Sequence, residues 1–441
     1  MFCRLINLKL INITVDKQER KEIIDLINRE VVPALGCTEP AAVALCVAKV
    51  RELLGEIPQK INVSLSGNML KNAMGVGIPG TGKIGLPIAI ALGALSGKSK
   101  YGLEVLKDVN PESVEEGKRY ISEGRINISH NREAPSILHI EVECKGNDGN
   151  TAFGVISGAH TNFVLLKHND ETLLSKQQEG TSAVRQSADP VLDMAKVYDF
   201  AMTAPDEEIA FILEAKRLNK AAAELALEKE YGHSLGSTMK NKGKLLFGDS
   251  PLTHIISYTS AACDARMGGA QIPVMSNSGS GNQGICATMP VVSFAEDINA
   301  DDKTLARALI LSHLTSIYIK QNLGRLSALC GCVVASTGAS SGIVYLMGGG
   351  YEEICAAVKN MIANITGIIC DGAKPSCSLK ISSGVGTALM SAMLAMEHKC
   401  VTEAEGIICD DVDKSIHNLT SIGRESMQAT DRLVLHIMTN K

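Results

Sequence analysis

Apolar positions recur at helical spacing through residues 16–31, where Ile23, Ile24, Ile27 and Val31 share one face. The pattern predicts an amphipathic helix that ends near Pro33. A second helix is predicted from about Pro40 through AAVALCVAKVRELLG. From residue 60 the period shortens to two. KINVSLSG alternates, and ILHIEVECKG (137–146), TAFGVISG (151–158) and TNFVLLKHN (161–169) predict three close strands joined by short turns such as Asn147-Asp148-Gly149.

Beyond the polar stretch SKQQEGTSAVRQSADP the helical period returns and persists. PDEEIAFILEAKRLNKAAAELALEKEYG opens on Pro205 and three acidic residues and closes on Gly232, the polarity of helix start and stop signals. ADDKTLARALILSHLTSIYIKQNLG repeats this and closes on Gly324. GVGTALMSAMLAMEHK is apolar nearly all round, which predicts a helix at the centre of a helical domain. The expected fold is α+β. A discontinuous, mostly helical domain (residues 1–58 and 185–441) is interrupted by an inserted α/β unit (residues 59–184) containing an antiparallel sheet.

Composition narrows the class. The 441 residues are 45% hydrophobic, enough for sizeable cores, and 43 basic against 48 acidic residues give a net charge of −5. Nothing builds the positive field of a nucleic-acid binder, and no Trp with 8 Tyr and 7 Phe is too few for base-stacking platforms. A small-molecule partner is expected, and a homodimer is compatible with the pattern. The start, MFCRLINLKLINITVDKQER, has Arg4 and Lys9 breaking a short apolar run and no small-residue cleavage site, so no signal peptide is expected. Residues 76–97, the longest apolar stretch, are interrupted by Pro79, Gly80, Gly82, Lys83, Gly85 and Pro87, so no membrane span is expected there. These features point to the cytoplasm. In that reducing compartment the thirteen cysteines are ligands, catalysts or small hydrophobes rather than disulfides. Forty glycines predict close helix packing and tight loops.

Cys46, Cys263, Cys286, Cys355, Cys400 and Cys409 lie in apolar or helical surroundings, where a thiol packs as a small hydrophobe. Cys3 and Cys144 show no partner pattern. In GIICDGAKPSC, Cys370 and Cys377 enclose a loop bent by Gly372 and Pro375 that can aim two sulfurs at one centre. Their spacing is wider than the usual CxxC, and a purely structural loop is the alternative. Cys330 and Cys332 precede a run of small residues that lets a helix or loop approach a cluster closely. With one residue between them the two side chains tend to diverge, so one is assigned, and Cys330 is preferred. Three cysteine ligands leave the fourth iron of a cluster open as a Lewis acid. Cys37, in VVPALGCTEPAAVAL, falls just before a helix capped by Thr38 or Glu39 with Pro40 in its first turn. Free amides and the helix dipole favour a thiolate there, which makes Cys37 the best candidate for a base or nucleophile. An ordinary buried cysteine at a helix entry is the alternative.

GIPGTGK, Gly77 to Lys83, matches part of a phosphate-binding loop, but Ile84 stands where Ser or Thr would hold magnesium. It is read as a Gly-rich loop beside the site. Asn68, Lys71 and Asn72 in SGNMLKNAMGVG form a donor cluster suited to a carboxylate, or else a solvated helix face. In SNSGSGNQG, successive backbone N–H groups with Ser276, Asn277, Ser278 and Asn282 suit a nest for an α-carboxylate, with a plain surface turn as the alternative. His160, in GAHTNF at a sheet edge, can reach a substrate group; His313, inside an apolar helix, reads as a satisfied core histidine.

Together these segments resemble the L-cysteine desulfidase family, relatives of the bacterial iron–sulfur L-serine dehydratases. The resemblance is carried by GCTEP at 36–40, SGNMLKNAMGVGIPGTG at 66–82, GAHTN at 158–162, SNSGSGNQG at 276–284, ALCGC at 328–332 and DGAKPSC at 371–377. It covers nearly the whole chain in the family's order; only the extension before residue 14 has no match. It implies a [4Fe–4S] cluster on Cys330, Cys370 and Cys377, with Cys37 as the proton acceptor. It also implies L-cysteine as substrate, eliminated to sulfide, pyruvate and ammonia without pyridoxal phosphate. The rival expectations are the same chemistry on L-serine, and a non-catalytic binding or sensing protein with a structural metal.

Overall fold

The computed structural model describes residues 15–176, 189–324 and 327–440. The N-terminal extension with Cys3, and most of the polar stretch at 175–190, lie outside them. Helix α1 (Lys17–Glu30) starts on Asp16, whose carboxylate accepts from the Gln18 and Glu19 amides while Glu19 reaches back, a capping box. Helix α2 (Thr38–Leu54) ends at Gly55, in the left-handed conformation that an L side chain resists. Its N-cap is Cys37 itself, in extended conformation, so the cap lies one residue before the expected Thr38.

The fold is α+β. One six-stranded sheet contains β1 (Lys60–Leu65), β2 (Ile126–His130), β3 (His139–Lys145), β4 (Thr151–Ser157), β5 (Phe163–His168) and β6 (Glu171–Ser175), in the order β2-β1-β3-β4-β5-β6. The pairings are antiparallel except β1 with β2, which is parallel, so the sheet is mixed rather than purely antiparallel. The chain between those two strands includes α3 (Gly67–Ala73), α4 (Leu86–Leu95) and a further helix, Pro111–Ser122. Such a helical crossover is what a parallel neighbour requires, whereas short turns make hairpins. Ile61, Val63 and Leu65 alternate into the core from β1, as the period of two predicts.

The second half is helical, built around α5 (Pro251–Met267), α6 (Gly281–Asp297), α7 (Asp302–Leu323), α8 (Gly331–Leu346) and α9 (Cys377–Met396), and α10 (Met427–Thr439) closes the chain. Helix α8 occupies the centre, packed on α6, α7 and α9. Its small residues allow this: a Cβ on Gly338 would overlap Ser316 Oγ and the Ser312 carbonyl of α7. The expected central helix, α9, instead lies at the edge, with Leu379, Met390, Met393 and Leu394 exposed. Apolar residues surround its axis, but only one side finds partners. Among the described residues α9 is the one helix long and apolar enough to cross a membrane, and 56% of that window is buried within the protein.

Two apolar cores result. One fills the helical half and takes in α1 and Cys37; the other lies between the sheet, α2 and α4 and begins at Ala42. Helix α2 packs on the sheet and on α4. Gly154 of β4 admits it, since a Cβ there would strike Val50. Cys37 stands where the two cores meet. Because α8 is clamped between neighbours with no spare space, Gly338→Ala is expected to destabilise the protein by about 1–3 kcal/mol. A denaturant midpoint unchanged from wild type would show that the α7–α8 contact can give way.

Candidate active site

Gly36, at φ +68 and too close to Pro79 to carry a side chain, turns the chain into Cys37. The Cys37 thiol is buried and donates to Glu39 Oε2 at 2.8 Å. Thr38 Oγ1 donates to the same oxygen at 3.1 Å, and Asn72 Nδ2, from α3, donates to Oε1 at 3.2 Å. Glu39 is 9% exposed. Burial pushes its carboxyl up, but the charge of His160, the Cys37 bond and Arg266 prevail and hold it below the ordinary carboxylate value. Burial, then the Glu39 charge, push the Cys37 thiol well above its ordinary value, with Arg266 opposing. Desolvation and a neighbouring anion thus oppose the thiolate that the helix N-terminus favours.

Arg266, on α5 and 4% exposed, donates from Nη2 to the Gly36 carbonyl at 2.9 Å and from Nη1 to Asn282 Oδ1 at 3.0 Å. Nothing local in AACDARMGG marks it as functional, and the pattern of GCTEP suggests no more for Glu39 than a helix cap. A pocket lined by Leu35, Cys37, Pro40, Ile78 and Pro79 opens onto the thiol.

The candidate ligands are assembled by backbone pairing. Leu329 and Ile369 form an isolated antiparallel bridge, with the Cys330 amide on the Ile368 carbonyl and the Cys370 amide on Ala328. Cys330 and Cys370 are then diagonal neighbours on one face, about 7–8 Å apart. Gly372, at φ +90, packs against the Lys71 carbonyl and turns the loop so that Cys377, the first residue of α9, approaches the same place. Cys377 is pushed up to about 11, chiefly by burial, with the charges of Cys330 and Cys370 adding to it. Cys330 caps α8, and a hydrogen bond with Cys332 brings its thiol down while Cys332 is driven up. Cys330 is also the less buried of the two. Among the described residues no three His, Cys, Asp or Glu side chains stand close enough to chelate a single metal ion. Ligands that each bind a different iron of a cluster stand further apart than that.

Two elements join the thiol site to the cysteine loop. Adjacent residues of α3 reach both: Asn72 binds Glu39, and Lys71 Nζ lies 3.5 Å from the Cys370 carbonyl. On α5, Cys263 and Arg266, three residues apart and so on one face, both contact Asn282, and Cys263 also feels Cys377.

Several expected substrate donors are occupied by the protein. Lys71, 1% exposed, is ion-paired with Asp431 of α10 and clamps that helix to α3. In the expected nest at 276–284, the amides of Ser276, Asn277 and Ser278 are taken up by the Val32, Ser280 and Glu30 carbonyls. Ser276 Oγ donates to Val32 O, Ser278 Oγ to Asn277 Oδ1, and Asn277 Nδ2 holds His313. His313 is the expected core histidine, bonded also to Thr288 and pushed down to about 3 by burial. Asn282 reaches the site by orienting Arg266, and His160 through its charge on Glu39. Asn68, in the first turn of α3, keeps a buried Oδ1 with no hydrogen-bond partner among the described residues.

A family model described as the serine dehydratase alpha chain matches residues 100–436. That span includes Arg266, Cys330, Cys370 and Cys377 but not Cys37, Glu39 or α3. Similar over nearly full length are UPF0597 proteins of Phocaeicola vulgatus (63% identical, 97% of this chain and 99% of the relative), Porphyromonas gingivalis (53%, 97% and 100%) and Oleidesulfovibrio alaskensis (49%, 96% and 99%).

The Cys37–Glu39 bond makes a measurable demand. Alkylation of Cys37, followed by peptide mass spectrometry across pH, is expected to rise only above the range of a free thiol at about 8.5. The midpoint moves down in Glu39→Gln, where the neighbouring anion is gone. A midpoint at or below the free-thiol value in wild type contradicts the buried, protonated thiol.

Proposed function

Because the chain belongs to the serine dehydratase alpha chain family, we propose that it is a lyase acting by α,β-elimination on L-cysteine, releasing sulfide and leaving pyruvate and ammonia. The observation that carries this reading is that neighbouring residues of α3 touch Glu39 and Cys370, so a proton-accepting group and the cysteine loop serve one site. Serine is the second substrate to consider, favoured by the description of the family model.

Cys330, Cys370 and Cys377 fit an iron–sulfur cluster by donor chemistry, since thiolates are the ligands such clusters take. Cys330 and Cys370 share one face of the bridge, and the Gly372 turn brings Cys377 to them. When bound, a [4Fe–4S] cluster with one open iron supplies a Lewis acid for the leaving sulfur. The remaining work falls to the chain. Cys37 must lose its proton before it can accept another, and Glu39 Oε2, 2.8 Å away and ionised, is the acceptor. The S–H bond breaks as the Glu39 O–H forms, and the thiolate then takes the α-proton of the substrate, reforming S–H. The electron pair left on Cα forms the double bond to Cβ as the β-substituent departs, and the aminoacrylate, once released, tautomerises to an imine whose C–N bond is hydrolysed by one water to give pyruvate and ammonia. Burial of Cys37, Glu39 and Arg266 excludes water, which would otherwise compete for these protons.

Anaerobic purification, iron analysis and a sulfide-release assay test this. Cys37→Ala is expected to keep its iron and lose about 10²- to 10⁴-fold in kcat. Cys370→Ala is expected to lose iron and activity together. Full activity in either variant removes that residue from the site, and a higher kcat/KM for L-serine than for L-cysteine transfers the substrate assignment.

A further inference from the structure

Two buried charges of opposite sign approach Cys37 along different bonds. Glu39 is reached through the thiol, and Arg266 through the carbonyl of Gly36, the preceding residue. They influence each other electrostatically but do not meet as an ion pair, and among the described residues Arg266 has no carboxylate at ion-pair distance. Its bonds go to neutral oxygens, one from each terminal nitrogen, so each retains a second N–H. A buried guanidinium is costly unless a counter-charge and hydrogen bonds satisfy it, so this arrangement suits an anionic ligand. Of the donors expected to hold a carboxylate, Lys71, Asn72 and Ser276 to Ser278 are already engaged within the protein.

We propose that Arg266 and Glu39 form a cradle for a zwitterionic α-amino acid, Arg266 taking the α-carboxylate and Glu39 the α-ammonium, with Cα–H over Cys37 Sγ. This rests on the assignment of Cys37 as proton acceptor. An α-amino acid carries both charges on one carbon, which matches a cation and an anion that flank one thiol. Asn72 steadies Glu39 and Asn282 steadies Arg266, so both are positioned before the ligand arrives. The ammonium meets the ionised Glu39 as the ligand docks; once Oε2 has taken the Cys37 proton, Oε1 keeps the ammonium's hydrogen bond and the ammonium's charge offsets the new thiolate. With both charged groups fixed and Cα–H on Cys37, the β-substituent has one remaining direction, so the L and D forms are distinguished.

Calorimetric binding to the anaerobically purified protein tests the cradle with L-alanine, 3-mercaptopropionate, which lacks the ammonium, and cysteamine, which lacks the carboxylate. Glu39→Gln is expected to weaken L-alanine and cysteamine about tenfold or more and to leave 3-mercaptopropionate within about twofold. Arg266→Gln is expected to weaken L-alanine and 3-mercaptopropionate and spare cysteamine, and Arg266→Lys, which keeps the charge, to retain more L-alanine binding than Arg266→Gln. Equal losses for all three ligands, or none, overturn the cradle and leave the two residues structural. Turnover of L-cysteine with such a flat pattern removes the cradle alone. The expected pattern in a protein that releases neither sulfide from L-cysteine nor ammonia from L-serine removes the lyase reading and keeps the cradle.

Discussion

A carboxylate that stays ionised while shielded from water constrains everything near it. Glu39 keeps its charge because Cys37, Thr38 and Asn72 donate to it and because His160 and Arg266 lie close. Those five residues come from four separate stretches of chain, so the sheet unit and the helical half must both be in place before the charge is tolerated. Burial, and after it the charge of the same carboxylate, push the Cys37 thiol up. Both effects work against a thiolate at Cys37, and a cation brought to this point would work for it.

The cysteines are organised by a different means. A single pair of bridge residues, Leu329 and Ile369, sets Cys330 beside Cys370, and the left-handed turn at Gly372 brings Cys377 to them. This loop is not free-standing. The Lys71 backbone fills the space where a side chain on Gly372 would sit, and the Lys71 ammonium holds Asp431 of the last helix. The buried lysine thus ties α10, α3 and the cysteine loop together. Its neighbour Asn72 faces Glu39, so movement of α3 would disturb the thiol site and the cysteine loop at once.

Helices, strands and the α+β class follow from the chain itself, because periods of two and of helical spacing report directly which face each segment buries. Local context likewise narrows thirteen cysteines to Cys37, Cys330, Cys332, Cys370 and Cys377, and the family resemblance implies Cys330, Cys370 and Cys377 as ligands and Cys37 as proton acceptor. Apolar character alone does not say what a helix packs against: α2 lies on the sheet, and α9 lies at an edge, contrary to its pattern. Polar residues in a glycine loop resemble a ligand nest until the partners of their amides are known, and at Ser276 to Ser278 those partners are carbonyls of the protein. Arg266 and Glu39 carry no local signal, since one charged residue in a helix is ordinary wherever water can reach it. Only the meeting of two cores removes that water, and desolvation is a property of the assembled fold that no stretch of sequence expresses by itself.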